Sequence, residues 1–574
     1  MELTTAFAPP QNQSVQRRFN HEKSILGLMK RLIFLIPFFL FSVAGAGWAE
    51  DFLIPLDDRP ANRLFVEQIA RIGAPQSRLT SPPRHLLGRL YDPGRSEAIM
   101  DWLEERVEPG DTVFLSIDMW LYGGLVASRT AAIDPEQVKD RLRRLESLGE
   151  RGVFLHVLAT IPRLSLRTSE EEAPHERTLA NWAAKADLPS VPELLTGRKE
   201  GKTLPFPEGV PDAVVMEYLR VRDRNISTIR HLVKLAALGY IDTLILGQDD
   251  SHKTGLHRFE QKQIQEDMVT LEVSDKVKLL SGIDELTMNM VAGVWAKRAG
   301  ISPKIRVVYS EPEAADKVPP LESLPLQTMV EQHLRLANAE VVEDDGADLE
   351  LYVYVPYEKP WSVPGEERWP ASEAFVAQVK GATDKGASVA VADLSLVNRM
   401  DPFLAESSLE LLPLFDLEAF ASWNTPANTV GTVVAQAVCH QIAERSPSWT
   451  LRQRLESEKT HQAFLLARFI DDYLYQTRVR DRVKPQIAGL DSQANPLLNE
   501  FGPVGLDIRL SLVEWAEKLF EEKYLGRTFC IEPQNVEVRF ERSKLEVILP
   551  WPRTFEVEAR LDLRLGLTGR RCDR

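Results

Sequence analysis

The chain is poor in cysteine and has no excess of positive charge. Its three cysteines, Cys439, Cys530 and Cys572, match no zinc-finger or CxxC spacing, so neither a thiol site nor a disulfide framework is expected to carry the fold. There are 69 Lys and Arg against 84 Asp and Glu, which gives a formal net charge of -15. Because an acidic surface repels phosphate backbones, nucleic acid is not an expected partner.

The chain also lacks the common nucleotide-binding and nucleophile motifs. No G-x-G-x-x-G follows the first apolar run, and no Walker loop, G-x-S-x-G or H-E-x-x-H occurs. The composition, with 44% hydrophobic and 27% charged residues, is that of an ordinary globular protein. Its 574 residues are enough for one large domain and a smaller one.

The one extended hydrophobic run lies near the start of the chain. Residues 29–31 (MKR) are followed by the apolar run 32–43 and then by small residues. This order is typical of a secretory signal, and the run is shorter than the roughly twenty residues that span a bilayer. We expect export, with membrane contact only through this segment; an uncleaved anchor is the alternative. The expected boundaries are residues 1–28 for a polar extension or mis-assigned start and 29–49 for a signal peptide cleaved near Ala46 or Ala49.

The middle of the chain alternates between short apolar runs and helical patterns. Residues 112–117, 153–158, 243–247 and 305–309 are examples of such runs. Continuous apolar runs of this length are typical of parallel strands buried on both faces. The spacing predicts eight to ten strands connected by helices.

Capping signals delimit two of the helices. Asp134-Pro135 begins one as a cap and a first-turn proline, and Gly149 is expected to end it. A longer helix is predicted over 211–238, ended by Gly239.

This alternation predicts an α/β fold with a mostly parallel sheet. We expect a (β/α)8-like barrel, regular or irregular, over residues 50–430 as the catalytic domain; an open doubly wound sheet is the alternative. Residues 431–574 are expected to form a C-terminal helical region that ends in a small β element.

Charged side chains follow several of the predicted strands. In parallel α/β folds the carboxyl ends of strands collect the functional residues. The residues expected to line a shared mouth are Asp57, Asp58, Arg59, Asp118, Tyr122, Arg163, Asp249, Asp250, Asp284 and Glu285. Burying so many like charges is costly unless cations compensate, and Arg59, Arg84, Arg129 and Arg163 are the candidate counter-charges.

The adjacent pair Asp249-Asp250 is the most specific signal. In substrate-assisted glycosidases, the acetamido oxygen of an N-acetyl sugar attacks its own anomeric carbon, so the enzyme supplies no nucleophile. One carboxylate orients the acetamido group and a second, with a raised pKa, protonates the leaving oxygen. We assign Asp249 to the first role and Asp250 to the second. Taken singly, each of the charged residues at the strand ends could instead be a helix cap or half of an ion pair.

Metal chemistry is the alternative for the same region. Asp57-Asp58 after the first strand, with His252 and His257 further on, invites comparison with a metal-dependent carbohydrate deacetylase. Ligation by Asp250 and His252 of a divalent metal such as zinc is also possible. The main expectation is that no metal or other cofactor is used.

Trp423 and Asn424 follow a further apolar run. Trp423 could form the floor of a sugar pocket while Asn424 binds a hydroxyl. The alternative is a tryptophan packed in the core.

Several of these segments resemble a bacterial family defined only as a domain of unknown function, number 4127. The matching stretches include 54–60 (IPLDDRP), 247–250 (GQDD), 282–285 (GIDE) and 423–425 (WNT). The resemblance extends over most of the mature chain and implies no particular activity. The Asp249-Asp250 pair separately resembles the catalytic pair of substrate-assisted β-N-acetylhexosaminidases.

The sequence therefore leads to the hypothesis of an exported hydrolase, a β-N-acetylhexosaminidase-like glycosidase with a carbohydrate substrate. A metal-dependent carbohydrate deacetylase and a non-catalytic glycan-binding envelope protein are the alternatives. The sequence gives neither the sugar nor the oligomeric state.

Overall fold

Apolar segments form buried strands, and the segments between them form helices. The computed structural model describes residues 50–130, 133–167, 173–185, 205–343, 346–356, 369–487, 496–499 and 502–572. The signal peptide and cleavage site expected before residue 50 lie outside these residues. The strands are β1 Asp51–Ile54, β2 Leu79–Thr80, β3 Thr112–Ser116, β4 Phe154–Ile161, β5 Thr243–Gln248, β6 Val277–Ser281, β7 Lys304–Tyr309, β8 Glu340–Val341, β9 Leu349–Tyr354, β10 Val389–Asp393, β11 Ala419–Ala421, β12 Thr528–Ile531, β13 Val536–Ile548 and β14 Glu558–Arg571.

Helices connect most of these strands. They are α1 Leu64–Gly73, α2 Ser96–Glu104, α3 Ile117–Tyr122, α4 Pro135–Glu150, α5 Glu176–Ala184, α6 Asp212–Leu238, α7 Leu256–Thr270, α8 Leu286–Ala299, α9 Leu326–Leu336, α10 Trp369–Thr383, α11 Pro402–Leu411, α12 Pro426–Arg445, α13 Leu451–Arg468, α14 Arg480–Val483 and α15 Pro503–Lys523. A π-helix, Phe469–Val479, joins α13 to α14. No helix among the described residues combines the length and the hydrophobicity that a membrane span requires.

Two of the three capping predictions are right, those for Asp134 and Gly239. The Asp134 side chain accepts a hydrogen bond from the main chain of Glu136 at the start of α4. Gly239 ends α6 in the left-handed conformation, with φ of 86°. Gly149 does not end α4, since the helix continues to Glu150. A Cβ at Gly149 would lie 2.5 Å from the main-chain oxygen of Tyr240, so close packing accounts for this glycine.

Two open parallel sheets form the centre of the molecule. The first has the strand order β2-β1-β3-β4-β5-β6 and the second has the order β8-β7-β9-β10-β11. All neighbours in both sheets run parallel. The first five strands of each sheet therefore follow the same winding order.

The α/β class is confirmed, whereas a closed barrel is not what the described strands form. Among them β2 pairs only with β1 and β6 only with β5, so the first sheet has two edges. After β6 the chain forms α8 and then starts a second sheet at β7. Barrels and open sheets both alternate strands with helices, so the hydrophobic pattern does not distinguish them.

A layer of helices lies between the two sheets. Buried residues of α1, α8, α9 and α12 form one core with Phe114 and Leu158 of the first sheet and with strands of the second sheet. The opposite face of the first sheet packs on α2, α4 and α6. The opposite face of the second sheet packs on α13, α15 and the β13–β14 pair. Both sheets are thus covered on both faces, as parallel sheets require.

The C-terminal residues belong to the same compact unit as the two parallel sheets. Glu50–Arg574 form one compact unit, and residue 430, where a domain boundary was expected, lies inside α12. The last three strands form an antiparallel sheet in the order β12-β13-β14. A disulfide joins Cys530 to Cys572 across this sheet. A separation of 42 residues matches no cysteine motif, so the sequence does not predict this disulfide.

Candidate functional site

The carboxyl ends of the two sheets meet at a small cavity. Its volume is about 40 Å³, which is room for a few water molecules and not for a sugar ring. Its lining residues are Gln248, Asp249, Asp250, Gly282, Ile283, Asp284, Glu285, Leu321, Glu322, Asn424, Thr425 and Asn428. We call this space the inner cavity. Five of the predicted site residues, Asp249, Asp250, Asp284, Glu285 and Asn424, lie there together.

Glycines bring the ends of β5 and β6 close enough for this convergence. A Cβ at Gly247 would lie 2.7 Å from the main-chain oxygen of Gly282, so no larger residue fits at that position without a shift. The Gly282 amide in turn donates to the main-chain oxygen of Gln248 at 3.2 Å. The acids that follow each glycine are thereby held side by side.

Arg59 links the loop after β1 to the loop after β6. Its guanidinium donates two hydrogen bonds to Asp284, at 2.7 and 2.9 Å, and one to Asp57 at 2.9 Å. Asn62 adds bonds to both carboxylates, at 2.8 and 3.2 Å. All four side chains are buried. Burial raises the pKa of the Asp284 carboxyl, while the Arg59 charge opposes that rise.

Asp58 faces away from this network. It accepts a hydrogen bond from the Trp551 indole at 2.5 Å and one from Arg84 at 3.2 Å. Asp58 and Arg84 line a separate cleft of about 860 Å³. Asp58 is therefore not part of the inner cavity.

Each aspartate of the central pair is bonded to its own arginine. Arg129 donates to Asp249 at 2.5 Å, and Arg163 donates to Asp250 at 2.8 Å. Together with the pairs of Arg59 and Arg84, this confirms all four predicted counter-charges. Burial and the charge of Asp249 raise the pKa of the Asp250 carboxyl, and Arg163 opposes them. Asp250 also has φ of 30°, a strained backbone conformation for a residue other than glycine.

A buried ion pair fixes the loop that carries Arg163. Arg222 of α6 bonds Glu260 of α7 at 2.6 and 2.7 Å. The same guanidinium donates to the main-chain oxygens of Pro162 and Arg163, at 3.0 and 2.7 Å. The position of Arg163 after β4 therefore depends on two helices on the outer face of the sheet.

Asp118 and Tyr122 lie on α3, apart from the inner cavity. The Asp118 carboxylate accepts bonds from the Thr160 hydroxyl at 2.7 Å and from its amide at 3.2 Å. Burial raises the pKa of this carboxyl to about 6. The Tyr122 hydroxyl lies 3.1 Å from that of Thr228, and the Arg224 guanidinium lies 4.5 Å from the centre of its ring.

A larger cleft borders the two aspartate–arginine pairs. It has a volume of about 720 Å³, and Arg129 and Arg163 line it together with Tyr91, Tyr122, Arg167 and Arg553. We call it the outer cleft. Each aspartate of the central pair is thus one hydrogen bond from an arginine that faces the outer cleft. The outer cleft falls within the size range of ligand sites, whereas the inner cavity does not.

Two further acids at the inner cavity have no ion pair with arginine or lysine among the described residues. Glu285 is fully buried, and burial holds its pKa well above the usual range. Oε1 of Glu285 lies 3.8 Å from Nε2 of His333, and burial lowers the pKa of that histidine to about 3. Glu322 accepts a bond from the Ala427 amide at 3.1 Å, and burial raises its pKa to about 8.

Glu322 was missed by the sequence analysis. It lies just before α9 and well beyond the end of β7, so the rule of acids that directly follow strands does not find it. A carboxyl at the start of α12 is favoured by the free amides there, but the contact joins residues 105 apart in the sequence. No local pattern signals such a contact.

Asn424 lies at the inner cavity, whereas Trp423 lies in the hydrophobic core. Asn424, with φ of 73°, donates to Asp284 at 3.4 Å and lines the inner cavity. Trp423 is buried in the core between the sheets, with its ring 5.5 Å from that of Phe555. The alternative of a packed tryptophan is therefore the one that the structure has.

The residues of the metal alternative offer few free ligand atoms. Hydrogen bonds from Arg59, Asn62, Arg84 and Trp551 engage both oxygens of Asp57 and of Asp58. His252 is exposed, and its main-chain oxygen lies 2.9 Å from Nε2 of buried His257. Among the described residues, neither Asp250 nor His252 belongs to a group of three possible metal ligands.

The fold and site define an α/β protein with two parallel sheets and a carboxylate-rich cavity between their carboxyl ends. The family model described as "Protein of unknown function (DUF4127)" matches residues 52–560. The chain belongs to this family. It matches no curated protein.

Proposed function

We propose that the protein is a hydrolase of glycosides of N-acetylated amino sugars, with Asp250 as the general acid and Asp249 orienting the acetamido group. The observation that carries the proposal is the state of Asp250. Its carboxyl has a pKa raised by burial and by adjacent Asp249, on a strained backbone, and it is hydrogen-bonded to Arg163, which lines the ligand-sized outer cleft. A raised pKa is what a general acid needs near neutral pH.

In this proposal the sugar binds in the outer cleft, and Arg163 moves from Asp250 to the substrate. Arg163 lowers the pKa of the Asp250 carboxyl more than Arg129 does, so its departure raises that pKa further. The acetamido oxygen attacks the anomeric carbon while Asp250 gives its proton to the leaving oxygen. Asp250 then takes a proton from a water molecule that opens the cyclic intermediate, which retains the anomeric configuration.

The experiment is hydrolysis of aryl N-acetyl-β-glucosaminide and N-acetyl-β-galactosaminide. We expect cleavage of at least one of them, and none of the matching aryl β-glucoside, since it lacks the acetamido nucleophile. Asp250→Asn should lower the rate by about 10²–10⁴-fold. Asp140→Asn, which alters an exposed ion pair, is the control and should keep the rate. Absence of cleavage of both substrates, or full activity of Asp250→Asn, contradicts the proposal.

A non-catalytic glycan-binding protein is the second candidate, and the arginine pairs favour it. Asp57, Asp58, Asp249, Asp250 and Asp284 all have an arginine partner without a substrate, although Asp57 and Asp284 share one. This candidate predicts that N-acetylglucosamine oligomers bind, by calorimetry, without release of any product.

We further propose that the protein is exported. The charged, apolar and small-residue order of residues 29–49 supports this, and so does the Cys530–Cys572 disulfide, since such bonds persist mainly in oxidising compartments. Protein isolated from the native host should begin after Ala46 or Ala49 by N-terminal sequencing. After unfolding without reductant it should show one reactive thiol, that of Cys439.

A further inference from the structure

Two histidines and three glutamates gather at the amino end of β11, on the side of that strand opposite to the inner cavity. Glu418 directly precedes β11, His440 and Glu444 lie on α12, and Glu458 and His461 lie on α13. The spacings are four residues on α12 and three on α13, which place each pair on one face of its helix. The sequence analysis did not use these spacings.

The side chains are within ligand-sharing distance of one another. The ligand atoms of His440, Glu458 and His461 all lie within 4.8 Å. Nε2 of His440 is 3.0 Å from Oε2 of Glu458, and the two imidazole rings stack with centroids 3.8 Å apart. Ligand atoms of a tetrahedral zinc ion, at its usual bond lengths, lie roughly 3.3 Å apart. Sharing one ion requires His461 to give up one of its two ring-nitrogen contacts, which are Nε2 with the main-chain oxygen of Leu417 and Nδ1 with the Gln436 amide, each at 3.3 Å.

Glu418 sets the orientation of His440. Its Oε2 lies 2.6 Å from Nδ1 of His440, so the Nδ1–H donates to this carboxylate when Nε2 faces Glu458 and His461. A carboxylate on the second ring nitrogen is the usual arrangement of a metal-bound histidine, since it fixes the tautomer and the ring.

The cluster also has space and an excess of negative charge. A cavity of about 220 Å³ opens beside it, lined by all five side chains. Nearby Arg445 pairs with Asp348, and the Arg454 guanidinium donates to main-chain oxygens, including that of Ser446 at 2.5 Å. Glu418 is buried and the Glu458 side chain is nearly so, and carboxylates in such positions favour a neighbouring cation.

We propose that His440, His461 and Glu458 bind a divalent transition metal, of which Zn²⁺ is the best match, with Glu418 as the positioning residue of His440. Two imidazoles and one carboxylate suit zinc, and water from the cavity would complete four ligands. The site is at the far end of β11 from the inner cavity, and it does not depend on the proposed hydrolysis.

The test is titration of the purified protein, free of any histidine tag and treated with chelator, with ZnCl₂ alone by calorimetry. We expect one Zn²⁺ per chain and a higher midpoint of thermal unfolding with the metal. His461→Ala should weaken binding by about 100-fold or more, and Glu418→Gln by about 10–100-fold. Co²⁺ should give visible absorption bands in the wild type that His461→Ala lacks.

His231→Ala is the matched control, because His231 lies 3.3 Å from Glu146 in a half-exposed pair elsewhere. It should bind Zn²⁺ as the wild type does. Near-UV circular dichroism checks that each variant is folded, and Glu458→Gln replaces His461→Ala if that variant is not. Absence of saturable Zn²⁺ binding, or equal binding by the folded ligand variants, overturns the proposal. His440 would then be a protonated histidine between two carboxylates.

Discussion

The acids around the inner cavity are neutralised in two different ways. Asp57 and Asp284 share the guanidinium of Arg59, with bonds of 2.7–2.9 Å. Glu285 and Glu322 have no such cation among the described residues, and burial raises the pKa of both carboxyls. The first arrangement bonds two carboxylates to one cation and holds two loops together, whereas the second keeps protons on carboxyls near neutral pH. Closeness of several acids therefore does not by itself indicate what they do. The partner of each acid has to be known as well.

The largest expected effect comes from removing the shared cation. Arg59→Met leaves two buried aspartates facing each other, and breaking a buried pair in this way typically costs about 3–5 kcal/mol. We expect the free energy of unfolding at pH 7 to fall by about that amount in urea titrations. Arg143→Met is the control, since the Arg143–Asp140 pair is exposed and such pairs contribute about 1 kcal/mol or less. A loss for Arg59→Met no greater than that of the control would mean that the Arg59 network does not hold the loops.

The two glutamates without an arginine or lysine partner among the described residues should make the free energy of unfolding depend on pH. Burial raises the pKa of folded Glu322 to about 8, while its ordinary value is 4.5. Between these values the folded state binds a proton that the unfolded chain has lost, so the free energy of unfolding falls as pH rises. Glu322→Gln should remove this dependence and be more stable than the wild type at pH 9, by on the order of 3 kcal/mol.

Urea titrations from pH 5 to pH 9 measure this difference. Glu313→Gln, at an exposed glutamate before α9, is the matched control and should follow the wild-type profile. If Glu322→Gln and the wild type keep a constant difference across the range, Glu322 does not hold its proton in the folded protein.

The sequence predicts well those features of the fold that depend on residues close together in the chain. Runs such as 243–247 became strands because a continuous apolar run fits a sheet that is buried on both faces, here as β5, Thr243–Gln248. The cap at Asp134 and the stop at Gly239 depend only on adjacent residues. The convergence of Asp249 and Asp284 follows from the rule that parallel strands gather their carboxyl ends at one edge.

The remainder depends on contacts between distant residues, which no local pattern encodes. A second sheet starting at β7 has the same alternation as a barrel that closes. Which arginine meets which aspartate depends on loops 87 and 120 residues apart in the sequence. Trp551, from the C-terminal residues, bonds Asp58 over a separation of 493 residues. These contacts decide which acids have a hydrogen-bonding or charged partner.

The smallest expected effect comes from removing Arg84, the partly exposed member of an ion pair. Arg84 pairs with Asp58, but its side chain is 32% exposed, and the Trp551 indole still donates to Asp58 without it. Arg84→Ala should therefore lower the free energy of unfolding by only about 1 kcal/mol or less, since water can replace the guanidinium. Trp551→Phe, which removes the buried donor, should cost more, by about 1–3 kcal/mol, because the carboxylate oxygen is left without a partner inside the protein. If Arg84→Ala proved as costly as Arg59→Met, then exposure would not separate the two kinds of pair, and Asp58 would belong with the buried network around Arg59.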